Sequence, residues 1–487
     1  MPKIADLKSK TVNGLLWSFV ELVSKQGMQL ILQLVLARLL LPEHFGLIGM
    51  ITIFIAISNT FVQSGLDQAL IREKNPGKED YSTVFYFNLF ISIFVYLIMY
   101  FFAPYIAVFF NEPQLVDLLR ITMIIVIFNA FTVIQRVILI RKVDFKTQTK
   151  VSAIAVFSSG AVAVVMAING LGVWSLVAQQ VLMKMVEMAL LIIGNKWIPL
   201  SSFNFNLFKK YFNFGYKLLL SGLIDTIFKN VYFVIIGKLF PIAQLGYYTN
   251  AAKIRDASSQ SMTQAIQKVT YPILSSIQED SHKLSLNYKK LLRMTAYIYF
   301  PFMLGLAAIA PSLIPLLLGE QWIPSVVYFQ LLCLAGMLYP IQAINLNVLK
   351  VKNRTDLFLL LEIFKKIVLT ILIFLAIILD SGIEGLISAA IISSYFSLFI
   401  NTYYAAKEIN YSFLSQIKDM LPSFLLAVSM SCAVYYSNEF FNIHLLVKLT
   451  IQLLLGVTIY VGLSWVLKIQ EFKLTVNLIR SIAKRRR

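Results

Sequence analysis

The chain has 487 residues, 58% of them hydrophobic and only 14% charged, with a mean hydropathy of +0.76. Average soluble proteins are about 45–50% apolar and about 25% charged, so a disordered chain is excluded and a soluble enzyme is strongly disfavoured. Lys and Arg outnumber Asp and Glu by 43 to 24, a net charge of +19. In a soluble protein that excess would suggest nucleic acid. In a membrane protein it follows from basic cytoplasmic loops, so the positions decide.

From the N-terminus, MPKIADLKSKTVNGLLW places basic residues ahead of an amphipathic run, with no small-residue cleavage site, as expected of an uncleaved first span. A span needs about 20 apolar residues. Fourteen such runs are expected, at 11–40, 46–66, 83–110, 118–139, 151–168, 175–195, 213–236, 246–272, 291–318, 326–349, 357–379, 385–405, 420–437 and 445–467. Alternate connections carry the basic residues: Lys3, Lys8 and Lys10; Arg72, Lys74 and Lys78; Arg136, Arg141, Lys142, Lys146 and Lys150; Lys283, Lys289, Lys290 and Arg293; and finally Lys484 to Arg487. This alternation predicts that both termini are cytoplasmic, and it makes the C-terminal basic run an orientation signal or lipid contact, with no nucleic-acid partner. Trp17, Trp174, Trp197, Trp322 and Trp465 all fall near span ends, the pattern of an interfacial belt.

The first span ends in Arg38-Leu39 through Gly46 and the seventh in Lys238-Leu239 through Gly246, so basic, apolar and glycine positions coincide at an ungapped offset of 200. The copies are six spans apart and share one direction, which predicts a parallel repeat with the transport path between the copies. The expected organisation is two six-helix bundles at 1–200 and 205–410, a helix pair at 411–468 and a basic tail at 469–487. Gly46 and Gly246 are expected to shape hairpins.

Several spans carry ionisable residues well inside them, where a charge costs at least about 2.5–3.5 kcal/mol. Glu21, Lys25 and Gln29 follow helical spacing in span one; Lys184 and Glu187 are three apart in span six; Asp225 and Lys229 are four apart in span seven. Span eight aligns Lys253, Asp256, Gln260 and Gln264 on one stripe, and span eleven has Glu362 four before Lys366, with Lys365 beside it. Eight basic residues against five acids in or near the interior suit an anionic substrate. The expected substrate-binding set is Lys25, Gln29, Lys184, Lys229, Lys253, Gln260 and Gln264, and the expected ion-coupling set is Glu21, Asp225 and Asp256. Structural ion pairs explain any single pair equally well; the long stripes of spans one and eight favour a lined cavity. There is no GxxxxGK[ST], HExxH or GxSxG motif. Cys333 and Cys432 form no CxxC pair and the three histidines are far apart in the sequence, so no cofactor or metal is expected. A secondary transporter, not an enzyme, is the class that remains.

The stretches Leu36-Ala37-Arg38-Leu39-Leu40, Phe45-Gly46-Leu47-Ile48-Gly49-Met50, Ala103-Pro104-Tyr105, Arg141-Lys142-Val143-Asp144-Phe145-Lys146, Gly172-Val173-Trp174-Ser175, Leu245-Gly246-Tyr247-Tyr248 and Gly319-Glu320-Gln321-Trp322 occur in order over nearly the whole chain. In these the sequence resembles the polysaccharide transporter family of bacterial Wzx-type flippases, the colanic-acid and teichuronic-acid exporter subgroup in particular. The resemblance implies an all-α polytopic fold of the multidrug/oligosaccharidyl-lipid/polysaccharide exporter kind. It implies an undecaprenyl-pyrophosphate-linked oligosaccharide as cargo, turned across the bacterial inner membrane among membrane lipids for the polysaccharide polymerase machinery. It supplies no site residues, which rest on the charges alone. Two alternatives stand beside it: an ion-coupled multidrug or small-molecule antiporter of the same superfamily, and an accessory membrane subunit of a glycan-synthesis complex.

Overall fold

The computed structural model describes residues 24–440 and 443–485. Every regular element among them is helical. The first, α1, runs over 24–39. In the first compact unit, ending at Thr249, there follow α2 (Pro42–Gln63), α3 (Leu66–Arg72), α4 (Lys78–Phe110), α5 (Leu115–Thr122), α6 (Ile124–Arg141), α7 (Phe145–Ile168), α8 (Val173–Asn195) and α9 (Phe205–Leu239). Helix α10 (Ile242–Ser276) begins in this unit and continues into the second. The second unit adds α11 (Ser281–Leu318), α12 (Ser325–Gly336), α13 (Tyr339–Val351), α14 (Thr355–Ile378), α15 (Gly382–Ile409), α16 (Phe413–Phe440), α17 (Leu445–Val466) and α18 (Gln470–Arg485).

Eleven of the described helices or helix pairs are long and apolar enough to cross a membrane. The pairs α2–α3, α5–α6 and α12–α13 each serve as one broken span. Three other expected spans coincide with α1, α10 and α14. Helix α14 carries Glu362, Lys365 and Lys366 near its middle, and α10 is the most polar of the long helices. Only 22% of the most apolar stretch of α4 and 17% of that of α17 is buried within the protein, and large side chains such as Phe90, Phe101 and Tyr105 point outward. Water would not tolerate so large an apolar surface. Hydrocarbon does, and the protein is a multi-pass membrane protein.

Caps written in the sequence start several helices. Pro42 opens α2 at a position where its missing N–H costs nothing. Asp144 accepts from the backbone N–H (3.0 Å) and hydroxyl (2.7 Å) of Thr147 at the start of α7, and Asn204 accepts from two N–H groups at the start of α9. Asp280 caps α11; the Lys283 backbone N–H and then its ammonium group hold this carboxyl below its usual range. At the break between α2 and α3, Gly65 has φ +68° and packs on Gly215 of α9, where either Cβ would press on the other segment's backbone.

The sequence expectation for Gly46 and Gly246 is corrected. Both lie inside helices, in the first turns of α2 and α10, and neither has a positive φ. A Cβ on Gly46 would overlap the carbonyl of Ile242, and a Cβ on Gly246 would overlap the carbonyl of Pro42. Because 42 and 46 map onto 242 and 246, each repeat glycine faces the other copy's helix start, the reciprocity of a two-fold contact. Gly49 extends the crossing, with Thr249 Oγ1 2.6 Å from where its Cβ would stand.

Packing boundaries and repeat boundaries differ. Helix α9, the first long helix after position 200, packs on α2, α3 and α4 in the first unit. In the second unit α11 is the hub, touching α12, α13, α15, α16 and α17. Its Tyr288 hydroxyl is buried between Asn345 of α13 and Gln416 of α16, and Asn345 donates to Thr402 of α15 (2.8 Å), a polar tie across four helices. The tryptophan belt also needs correction. Trp465 is exposed, but Trp322 is fully buried in the short turn that follows α11.

Candidate functional site

Inside a membrane, each charge needs a partner or water, so the partners define the candidate sites. On α8, Lys184 and Glu187 stand one turn apart. The Glu187 side chain is 5% exposed and accepts from Lys184 Nζ at 3.2 Å and from the Arg136 guanidinium of α6. Arg136 was counted among the basic connection residues. It is helical and turned onto a buried carboxylate instead, because α6 runs on to Arg141. Gln29 of α1 donates to Met183 Sδ, beside Lys184, at 3.5 Å. Lys25, one turn before Gln29, is near enough for its charge to act on Lys184. The first unit therefore brings Lys25 and Gln29 near Lys184, which shares the Glu187 carboxylate with Arg136.

Asp225 and Lys229 form their own pair on α9, 2.6 Å apart, with side chains 47% and 70% exposed. The neighbouring Thr226 hydroxyl meets that of Thr60 at 3.0 Å, which fixes this stretch of α9 against α2. A charged pair on an open face of a membrane helix fits a water-filled cavity better than lipid.

In the second unit, Asp256 of α10 pairs with the adjacent Arg255 (Nε to Oδ1, 2.9 Å). The Arg255 side chain is largely buried, contacts the Tyr339 hydroxyl at 3.1 Å and lies over that ring, 5.7 Å from its centroid. Lys253, two residues earlier, has no hydrogen-bond or ion partner among the described residues and is half-buried. Gln264 is exposed farther along α10. Glu21 and the side chain of Gln260 lie outside the described residues. On α14, Glu362 pairs with Lys365, one turn on, at 2.5 Å. Within each unit the interior cations named here outnumber the interior carboxylates named here, the balance that suits an anionic ligand.

A model of the family described as "Polysaccharide biosynthesis protein" matches residues 35–327, more than half of the chain. The chain belongs to this family. Similar members include the lipopolysaccharide biosynthesis protein WzxC of Escherichia coli K12, 25% identical over 396 residues, covering 79% of this chain and 78% of that one. Another is the teichuronic acid biosynthesis protein TuaB of Bacillus subtilis 168, 24% identical over 405 residues and covering 82% and 83%. Among solved structures, the lipid II flippase MurJ in an inward closed conformation superposes with a TM-score of 0.74 at 17% identity, covering 93% of this chain and 98% of that one. An inward-facing multidrug resistance MATE transporter of the MOP superfamily gives 0.63 at 15% identity, covering 80% and 98%. At these identities the two structures establish the fold of this family member, a polytopic all-α membrane fold of the MOP kind.

Two of the residues that carry the family resemblance hold local structure. Arg141 reaches the carbonyls of Leu70, Ile71, Glu73 and Lys74 at 2.5–3.2 Å and so fixes the chain leaving α3. Gly172 has φ +52° beside the His44 ring, which itself accepts from the Leu41 N–H at the start of α2. Two neighbours of these charges, Tyr339 and Arg136, are placed by packing alone. Tyr339 carries no charge, so only packing shows that it meets Arg255. Arg136 lies at the edge of a span, and Glu187 already has Lys184 one turn away on its own helix, so nothing along the sequence marks Arg136 as its second partner.

Proposed function

We propose that this protein flips an undecaprenyl-pyrophosphate-linked oligosaccharide across the bacterial inner membrane, delivering it to the polysaccharide polymerase machinery, with both termini cytoplasmic. The reading is supported by family membership, by relatives named for lipopolysaccharide and teichuronic acid biosynthesis, and by the fold shared with a lipid II flippase. The observation that carries the site is the shortage of acid around interior cations: Glu187 is divided between Arg136 and Lys184, and Lys253 has no described partner. Ammonium groups hold phosphate as point charges, so Lys25, Lys184, Lys229 and Lys253 are the proposed contacts to the pyrophosphate, with Gln29, Gln260 and Gln264 toward sugar hydroxyls. The test is flipping of a defined lipid-linked sugar in proteoliposomes. Lys253→Gln should slow it by about tenfold, the loss of roughly 1.4 kcal/mol of anion binding, whereas Lys283→Gln, in an exposed pair outside the spans, should not. A Lys253→Gln variant that flips at the parental rate removes the assignment.

Drive, where transport is uphill, would come from protons. The ion pairs Asp225–Lys229 and Asp256–Arg255 suit this, because protonating the carboxyl frees the cation for anionic cargo and biases the transporter between its states. Glu21 completes the proposed coupling set. With an imposed pH gradient, Asp256→Asn proteoliposomes should lose the gradient response while retaining the downhill rate. A response equal to the parent's excludes Asp256 as the coupling group.

A further inference from the structure

The C-terminal helix α18 packs on α11 and α17 of the second unit. It is held there by Glu471, which is buried and pairs with Arg293 of α11. Arg293 also faces Asp419 at 3.6 Å, and Lys289 meets the same carboxylate at 3.0 Å. Two acids thus answer two of the three cations on this turn of α11. The third, Lys290, is exposed and has no acidic partner among the described residues. It stands at the mouth of a cavity of about 510 Å³ between α10, α11 and α18, whose walls are Ile273, Leu291, Met294 and Leu474, with Asn287 beside the lysine. That volume lies within the range of about 300–1,000 Å³ found for small-molecule sites.

A slot with apolar walls, a cation and an amide at its rim, in a membrane protein, has the polarity of a phospholipid. The charge around it selects the headgroup. Lys473 and Arg480 are exposed on α18 and also lack an acidic partner among the described residues, and each basic residue near a membrane surface favours anionic lipid by about 1 kcal/mol. A zwitterionic headgroup would set its own cation against these three. We propose that the α10–α11–α18 groove binds one acyl chain of an anionic bilayer phospholipid, with Lys290 on its phosphate, and that the bound lipid fastens α18 to the second unit. The chain wedges between Leu474 and Met294, and so adds apolar contact to a helix otherwise tied by the Glu471–Arg293 pair.

The experiment measures lipid binding by the purified full-length protein and involves no transport, so it stands apart from the proposed cargo. Thermal stabilisation in detergent is followed on adding dioleoylphosphatidylglycerol, dioleoylphosphatidylcholine or glycerol phosphate. Phosphatidylglycerol should stabilise at lower concentration than phosphatidylcholine, and glycerol phosphate, a headgroup without chains, should have no effect. Lys290→Gln, a change at an exposed position, should weaken phosphatidylglycerol binding by about fivefold, the equivalent of about 1 kcal/mol. Met294→Trp, which fills the slot, should abolish the preference with Lys290 intact. Equal stabilisation by the two lipids overturns the proposal, and so does an undiminished phosphatidylglycerol preference in Lys290→Gln or in Met294→Trp.

Discussion

The turn from α6 to α7 and the turn from α13 to α14 are built alike from different residues. In the first, the N–H groups of Lys142, Val143 and Asp144 bond to the carbonyls of Ile138, Ile140 and Leu139; in the second, those of Lys352, Asn353 and Arg354 bond to Val348, Lys350 and Leu349. Val143 has φ +57° and Asn353 has φ +56°. Asparagine enters the left-handed region readily, whereas a β-branched residue there is a genuine outlier. The shape of this turn is therefore set by its closure and by the helices on either side. The contrast is with the crossing of α2 and α10, where both copies of the repeat hold glycine. There a backbone occupies the space a Cβ would take, and no packing adjustment supplies an alternative. A turn that needs only a dihedral accepts different residues, whereas a crossing where atoms would overlap requires glycine.

The strongest way to break this comparison is at the crossing. Gly246→Val should destabilise the protein by about 3–5 kcal/mol, beyond the usual 1–3 for overpacking, because the obstacle is the Pro42 backbone and not a side chain that could move. Gly462→Ala of α17, with nothing within 4 Å of the new methyl, should instead gain about 1 kcal/mol from helix propensity. Melting of the two variants in detergent gives opposite shifts, and a mild effect of Gly246→Val would deny the close approach.

Next in size are two acids within the spans of the first unit, Glu187 and Asp225. Glu187→Gln leaves Arg136 and Lys184 facing a neutral amide in a buried place and should cost about 3 kcal/mol, the low end for a broken buried pair since Arg136 is 36% exposed. Asp225→Asn, in an exposed pair, should cost under about 1 kcal/mol. If the two variants melt together, Glu187 is not the organising group of its cluster.

The smallest effect sharpens the comparison of turns. Val143→Asn, borrowing the residue of the like-built turn, should raise stability by about 1 kcal/mol, and Asn353→Val should lower it by a similar amount, since each trades a left-handed valine against a tolerant residue. Equal and opposite changes in melting temperature are the expected result; a destabilised Val143→Asn would mean that valine packs at this site to an advantage larger than its strain.

Most of the architecture was legible in the chain because a bilayer imposes a one-dimensional rule: an apolar run of sufficient length spans, and polar residues within it need a reason. Among the described residues each expected span falls on a helix or a helix pair, and Lys25, the Lys184–Glu187 pair, the Asp225–Lys229 pair, Lys253 with Asp256, and Glu362 with Lys365 and Lys366 lie on α1, α8, α9, α10 and α14. Periodicity along one helix gave the Lys184–Glu187 and Asp225–Lys229 pairs, since residues three or four apart share a face. Which helix supplies the third partner is a matter of packing between elements distant in sequence. That decided the inward turn of Arg136 onto Glu187, the meeting of Arg255 with Tyr339, the burial of Trp322, and the role of Gly46 and Gly246 as points of contact between helices. Composition and spacing act along the chain, and so they fixed the helices and the residues each one carries. Partners, steric overlap and burial arise only between helices, and so tertiary structure alone decided them.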